Sequence, residues 1–275
     1  MDKMINIGRV ILAGAGPGDP ELVTIKTAKY LQKADVVLVD RLVSQCILDQ
    51  HCSADTEIIH VGKQCSLGNS TPQATINDLL VYYAQKGNLV VRLKGGDVSI
   101  FSNILDELQT LVENNIPYEI VPGVTAALGA SAYAGIPLTA RGFSTSVRFL
   151  TFCKSNILTN EYWKELSNTA DTLVFYMSSI TLDRVVKNLT ERKIDSDKLI
   201  AVIEQATTPN QKVHISDIYE FDKKYGKYKF ASPSIVIIGK VVQLHEQFKW
   251  LENSDDQNNY FKPVDESIGK IKMTA

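Results

Sequence analysis

The sequence has no surplus of charge of either sign. Its 29 basic and 31 acidic residues leave a net charge of −2, so the broad basic field of a dedicated nucleic-acid binder is missing. It has no apolar run at its start, since Met1-Asp2-Lys3-Met4 does not open like a secretory signal. It has no clean membrane span either. The one long uncharged stretch, from Ile120 to Ala140, is interrupted by Pro122, Pro137 and three glycines, whereas a spanning helix needs about 20 mostly apolar residues. Paired cysteines are absent too: Cys46, Cys52, Cys65 and Cys153 show no C-x-x-C spacing, which points to a reduced, cytoplasmic chain. His51, Cys52, His60 and Cys65 lie close in sequence but follow no zinc spacing, so no metal is expected. No internal repeat or low-complexity tract breaks the chain.

What is present is enough apolar material for a buried core, 44% of 275 residues. It is arranged in short runs. Arg9–Ala13, Val36–Asp40, Glu57–Val61, Leu89–Leu93 and Tyr118–Val121 are rich in Val, Ile or Leu, as strands buried on both faces should be. Amphipathic segments separate them. Thr71 is placed as an N-cap with Pro72 at the first helical position, Ile76, Leu79, Leu80 and Tyr83 form the apolar face, and Gly87 ends the helix. Ile104, Leu105, Leu108, Leu111 and Val112 form the apolar face of the next. Strand, helix, strand implies a mostly parallel sheet. Pro122-Gly123 is the expected domain boundary, giving an N-terminal α/β domain over residues 1–122 and a C-terminal one over 123–245. The second set of strands is Val147–Phe152, Thr172–Tyr176, Leu199–Glu204, Val213–Ile215 and Ser234–Ile238, the last three with connections short enough to pair antiparallel. Residues 246–275 read as a polar tail.

Two glycine-rich segments end predicted strands. Gly14-Ala15-Gly16-Pro17-Gly18-Asp19-Pro20 invites a dinucleotide-binding reading, but Asp19 stands where the third glycine belongs and Pro17 removes an amide from the phosphate cradle. Asp19-Pro20-Glu21 looks instead like an N-cap, a first-position proline and an acidic first turn. Arg92-Leu93-Lys94-Gly95-Gly96-Asp97 closes the fourth strand. Its glycines let backbone amides and carbonyls reach a ligand, and Asp97 either receives ribose hydroxyls or a cationic amino group, or caps the next helix.

The order of segments is more specific than any one of them. After the second strand comes Asp40-Arg41-Leu42-Val43-Ser44, after the third Val61-Gly62-Lys63, and after the fifth Val121-Pro122-Gly123-Val124-Thr125-Ala126. Ala132-Tyr133-Ala134-Gly135-Ile136-Pro137-Leu138-Thr139 and Glu204-Gln205-Ala206-Thr207-Thr208-Pro209-Asn210-Gln211 follow. From about Val10 to Lys240 this series resembles the tetrapyrrole methylase family, and within it the uroporphyrinogen-III C-methyltransferases. The resemblance implies a two-domain α/β tetrapyrrole methylase fold, with a mostly parallel sheet in the N-terminal domain, a mixed sheet in the C-terminal domain and the cofactor in the cleft between. It implies a homodimer that uses S-adenosyl-L-methionine and releases S-adenosyl-L-homocysteine. By matching position, Pro17, Gly95, Gly96, Asp97, Ile100, Thr125, Ala126, Met177 and Ala206 would line the cofactor site.

The substrate so implied is uroporphyrinogen III, a macrocycle with eight carboxylates, methylated on rings A and B by way of precorrin-1 to give precorrin-2, for siroheme or cobalamin. A later precorrin methylation, or a cofactor-binding homologue without catalysis, is the alternative. The resemblance casts Asp40 as proton acceptor and Lys63 as proton donor. Arg41, Lys63, Arg141, Arg148 and Lys154 are each a surface charge when read alone. As a set on converging loops they are read as carboxylate ligands. The chain departs from the family pattern at Val98-Ser99-Ile100-Phe101-Ser102-Asn103-Ile104-Leu105, where proline, phenylalanine and a glycine- and arginine-rich turn are usual, and at Ala140 and Cys153, where histidine is common. With 275 residues, a fused dehydrogenase/ferrochelatase or uroporphyrinogen synthase is not expected in the same chain.

Overall fold

The apolar runs of the first half become five parallel strands in the computed structural model, which describes residues 7–62, 71–152 and 158–261. They are β1 (Arg9–Gly14), β2 (Val36–Val39), β3 (Glu57–His60), β4 (Leu89–Lys94) and β5 (Tyr118–Val121), in the order β3-β2-β4-β1-β5. Four helices connect them: α1 (Ile25–Leu31), α2 (Gln45–His51), α3 (Gln73–Gln85) and α4 (Leu105–Glu113). Side chains alternate across the pleat. Ile11, Ala13, Val37, Val39, Val91 and Leu93 pack with Leu31, Ile47 and Leu48 of α1 and α2. Val10, Leu12, Val36, Leu38 and Val90 pack with Ile76, Leu79 and Leu80 of α3 and Leu111 of α4. Both faces are covered, which is why the strands read as unbroken apolar runs rather than alternating ones. Each fully buried Val, Leu or Ile contributes about 1.5–3 kcal/mol. Because all five strands run one way, the segments that follow them gather along one edge of the sheet, where ligands of such sheets bind.

Two helix details differ from the sequence pattern. Pro72, not Thr71, is the N-cap of α3, and Gly87 takes the left-handed turn after it with φ 89°. On α4 the apolar face is rotated: Leu105 and Val112 are exposed, while Glu107 is fully buried. The cause is electrostatic. Glu107 meets two cations that β4 sends to the same face, Arg92 and Lys94.

The second half builds a mixed sheet. Its strands are β6 (Val147–Thr151), β7 (Thr172–Tyr176), β8 (Leu199–Glu204), β9 (Lys212–Asp217) and β10 (Ser234–Gly239), in the order β6-β7-β10-β8-β9. β6 and β7 are parallel, while β10 runs antiparallel to β7 and β8, and β8 antiparallel to β9. One core joins Phe175, Val202 and Val236 of the sheet to Trp163 and Leu166 of α6 (Asn160–Asn168) and to Val185 and Leu189 of α7 (Leu182–Glu191). The unit also holds α5 (Ala126–Tyr133), α8 (Phe221–Tyr225) and α9 (His245–Phe248). The chain divides between Thr125 and Ala126 into residues 7–125 with Phe261, and Ala126–Tyr260.

The polar segment past residue 246 is not a loose tail as far as Tyr260. The Asn253 side chain bridges the Val213 amide and carbonyl at 2.7 and 3.1 Å. Trp250 Nε1 donates to Ala132 O at 2.9 Å, and the Ser254 amide to Gln211 O at 3.0 Å. Asn253, polar in sequence, is spent on backbone groups, while Glu252, Asp255 and Gln257 stay exposed. Among the described residues no helix is long and apolar enough to cross a membrane.

Candidate functional site

In the first unit four glycines from three strand ends, Gly14, Gly16, Gly96 and Gly123, meet backbone to backbone. Gly96 donates its amide to Gly16 O at 2.8 Å and accepts from Gly16 N at 3.1 Å. A Cβ on Gly14 would stand 2.6 Å from Gly96 O, and one on Gly123 would stand 2.4 Å from it. Gly95 is pressed against the segment after β2, where a Cβ would lie 2.8 Å from Leu42 Cβ. These glycines are required by close approach of loops. Gly96 spends its amide and carbonyl on Gly16 rather than offering both to a ligand. In the first glycine-rich turn Asp19 caps a 3₁₀ turn over Pro20–Leu22, accepting the Glu21 amide at 2.8 Å. Pro17 is half-buried beside it.

Asp97 stands on this backbone platform and is 8% exposed. Its Oδ1 accepts the Ser99 amide at 2.8 Å and the Ser99 hydroxyl at 2.5 Å, and its Oδ2 accepts the Gly123 amide at 2.9 Å. Burial pushes the carboxyl up. The hydrogen bonds from Ser99, Gly123 and Val98 outweigh it and hold the group below the usual carboxylate range. Asp97 is thus a fixed, buried anion rather than a simple helix cap, since it ties the segment after β4 to the segment after β5. Ile100 is partly buried in the same loop, which carries left-handed backbone at Phe101 (φ 51°) and Asn103 (φ 52°). Thr125 is buried at the end of this unit.

Asp40 follows β2. Its amide donates to Leu93 O at 2.9 Å and its carbonyl accepts from Val43 N at 3.1 Å. With Val39 opposite Leu93, Asp40 comes level with Lys94 on the neighbouring strand. Lys94 Nζ lies 2.9 Å from Glu107 Oε2, and Arg92 Nε lies 3.0 Å from Glu107 Oε1. Burial pushes the Lys94 ammonium below the usual lysine range, against the pull of Glu107 and of Asp40. Sequence reading missed this buried triad, because Glu107 sits in a helix whose apolar spacing suggested a different face. Its one visible signal is two cations, Arg92 and Lys94, on alternate positions of an otherwise apolar strand. Arg41 Nε, next to Asp40, is buried with no hydrogen-bond acceptor among the described residues. Lys63 lies outside the described residues.

In the second unit Ala126 opens α5, and the Ala127 amide donates to the Tyr176 hydroxyl at 3.2 Å. Met177, the next residue after β7, is 59% exposed with φ 54°. A large apolar side chain presented to solvent on left-handed backbone is not a core methionine. Ala206 is nearly buried between Gln205 (φ 48°) and Thr207 (φ 65°), two non-glycine residues whose backbone costs about 1–3 kcal/mol each. Of the remaining cations, Arg141 is exposed. Arg148 is committed to Asp171 and to Glu165, the latter at 2.5 Å. Asp171 is pulled down to about 2, by the Ser146 hydroxyl first and Arg148 second. Lys154 lies outside the described residues. His51 sits against Pro20 O at 3.1 Å, and burial with Asp49 nearby pushes the Cys52 thiol up to about 11.

Residues 9–222 match the profile of the Tetrapyrrole (Corrin/Porphyrin) Methylases. A siroheme synthase of Acinetobacter baylyi is 46% identical over 244 residues, 89% of this chain and 53% of the relative. The chain therefore spans about half the length of the curated relatives it matches. A uroporphyrin-III C-methyl transferase from Thermus thermophilus, solved with S-adenyl homocysteine, is 33% identical with a TM-score of 0.72, covering 86% of this chain and 94% of that one. A cobalt precorrin-4 methyltransferase superimposes with a TM-score of 0.75 at 26% identity, covering 85% and 95%. With the profile matched over most of its length and relatives of this identity, the chain belongs to the tetrapyrrole (corrin/porphyrin) methylase family.

Proposed function

We propose that this chain methylates uroporphyrinogen III on rings A and B, through precorrin-1 to precorrin-2, with S-adenosyl-L-methionine as donor. The observation that carries the reading is the 33% identity to a uroporphyrin-III C-methyl transferase over nearly the whole of that chain. The residues present fit the donor. Asp97 is a buried carboxylate suited to ribose hydroxyls or an ammonium, and Met177 is an exposed, polarisable side chain suited to a flat base. Pro17, Gly95, Gly96, Ile100, Thr125, Ala126 and Ala206 are the further proposed contacts. When bound, S-adenosyl-L-methionine supplies a methyl on a sulfonium and departs as S-adenosyl-L-homocysteine.

The chain's own residues have two tasks. The first is to hold an electron-rich pyrrole carbon in line with that methyl, and fixing geometry is worth several orders of magnitude in rate. The buried Nε of Arg41, which meets no acceptor among the described residues, supports a carboxylate on this residue. Lys63, Arg141, Arg148 and Lys154 complete the proposed set, with Arg148 having to share its guanidinium with Asp171 and Glu165. The second task is to take the proton the methylated ring loses. Asp40 is the proposed acceptor and Lys63 the proposed donor. We place the enzyme in the cytoplasm as a homodimer, and the lack of C-x-x-C spacing among its four cysteines fits a reducing compartment.

A second reading, a later precorrin methylation, is favoured by the cobalt precorrin-4 methyltransferase match. Counting S-adenosyl-L-homocysteine released per macrocycle separates them. Two per uroporphyrinogen III supports the first reading. Turnover with a later precorrin and none with uroporphyrinogen III supports the second.

A further inference from the structure

Glu204 is the last residue of β8 and is 2% exposed. A buried carboxylate is costly unless its oxygens are met by donors. Three groups meet it here. His214 Nε2 lies 3.0 Å from Oε2, the Tyr228 hydroxyl donates to the same oxygen at 3.4 Å, and the Ala231 amide donates to Oε1. Burial first, and Glu204 second, push the Tyr228 phenol above its usual range, so it stays protonated and able to donate. His214 is itself fixed, with its ring centroid 4.9 Å from that of Tyr228, 5.4 Å from Phe230 and 5.6 Å from Tyr225.

The position of this pair gives it meaning. β8 and β9 form a hairpin in which Val202 faces His214 and Glu204 faces Lys212. Glu204 and His214 are therefore diagonal neighbours on one face, at the base of the connection that holds Gln205–Gln211. That connection is held open in a strained shape by its own side chains. Thr207 N donates to Gln211 Oε1 at 2.8 Å, Thr208 Oγ1 to Gln205 O at 2.7 Å, and Tyr260 N to Gln205 Oε1 at 2.6 Å. Left-handed backbone at Gln205 and Thr207 persists only where the surroundings over-determine it. On the upstream side, the residue joined to Gln205 is Glu204.

We propose that Glu204 is a positioning residue, clamped by His214 and Tyr228, that holds the Gln205–Gln211 loop and with it Ala206 in the shape that receives the cofactor. The consequence for the cofactor rests on the function proposed above, while the clamp itself does not. Removing the donor on His214 leaves Glu204 buried and short of a partner, and the carboxylate then draws water or another donor into the hairpin base. The loop loses its upstream anchor.

The test compares His214→Leu, which keeps bulk and loses the donor, with His214→Gln, which keeps an N–H near the same place. Tyr228→Phe removes one hydroxyl only and guards against an unfolded leucine variant. Hydrogen exchange of the Gln205–Gln211 amides is read in the ligand-free protein, and S-adenosyl-L-homocysteine affinity by calorimetry. His214→Leu is expected to speed exchange of the Gln205 and Thr207 amides at least tenfold and to weaken binding at least tenfold. Tyr228→Phe is expected to do the same by a few-fold, and His214→Gln to stay within about threefold of wild type. Wild-type exchange in Tyr228→Phe together with wild-type exchange in a folded His214→Leu overturns the clamp. Faster exchange with undiminished binding in those variants overturns its link to the cofactor. A wild-type protein that binds no S-adenosyl-L-homocysteine overturns the functional reading instead, and leaves the exchange result to decide the clamp.

Discussion

Asp97 is buried with both oxygens held, one by Ser99 and one by the Gly123 amide. An anion so fixed binds without reorganising, so Asp97→Ala is expected to weaken S-adenosyl-L-homocysteine at least tenfold in a calorimetric titration, and unchanged affinity would remove it from the site. Its depressed carboxyl also sets a sign for stability. The folded state favours the ionised form, so the contribution is complete above the ordinary value of 3.8 and is lost as pH falls below it. The gap in Tm between wild type and Asp97→Asn should therefore close as the buffer is taken from about pH 6 to about pH 3, and a gap that widens contradicts the assignment. Asp40→Ala should lower kcat at least a hundredfold with little change in cofactor affinity, as loss of an acid–base group does. Equal losses in both would make Asp40 a binding residue. Gly123→Ala should cost about 1–3 kcal/mol in urea unfolding, because its Cβ would stand 2.4 Å from Gly96 O, and a neutral result would mean the platform yields. Asp97 and the glycines were visible in the sequence as motif letters. That Gly96 serves Gly16, and that the Gly123 amide serves Asp97, depends on contacts between segments far apart in the chain and left no local trace.

Among the elements, β4 and α4 show where reading by period stops. The strand was legible because Val90, Val91 and Leu93 form a buried run. The helix was legible as a helix, but not its orientation. The spacing of Leu105, Leu108, Leu111 and Val112 counts apolar residues and cannot register that Arg92 and Lys94 on the strand require an anion. Glu107 answers both, and turns Leu105 and Val112 outward. Removing it strands two buried cations, so Glu107→Ala should lose about 3–5 kcal/mol by urea denaturation. A loss below about 1 kcal/mol would show that water reaches the triad and that it does not fix α4. The antiparallel trio β8, β9 and β10 was legible from its short connections, whereas β6 beside β7, with a helix between, required the tertiary fold.

Across the whole molecule, two alternating sets of strands and helices separate near residue 125, and that organisation follows from composition along the chain. The segment from Trp250 to Tyr260 was less legible, because polar residues satisfying backbone groups look the same in sequence as polar residues facing water. The family follows from the order of segments and from the profile match over residues 9–222. The substrate is the account's central claim, and labelled methyl transfer tests it most directly. Uroporphyrinogen III incubated with the protein and S-adenosylmethionine carrying a ¹³C methyl should yield a macrocycle with two labelled methyls, one on ring A and one on ring B. A macrocycle recovered without label, from protein that binds S-adenosyl-L-homocysteine, would contradict it.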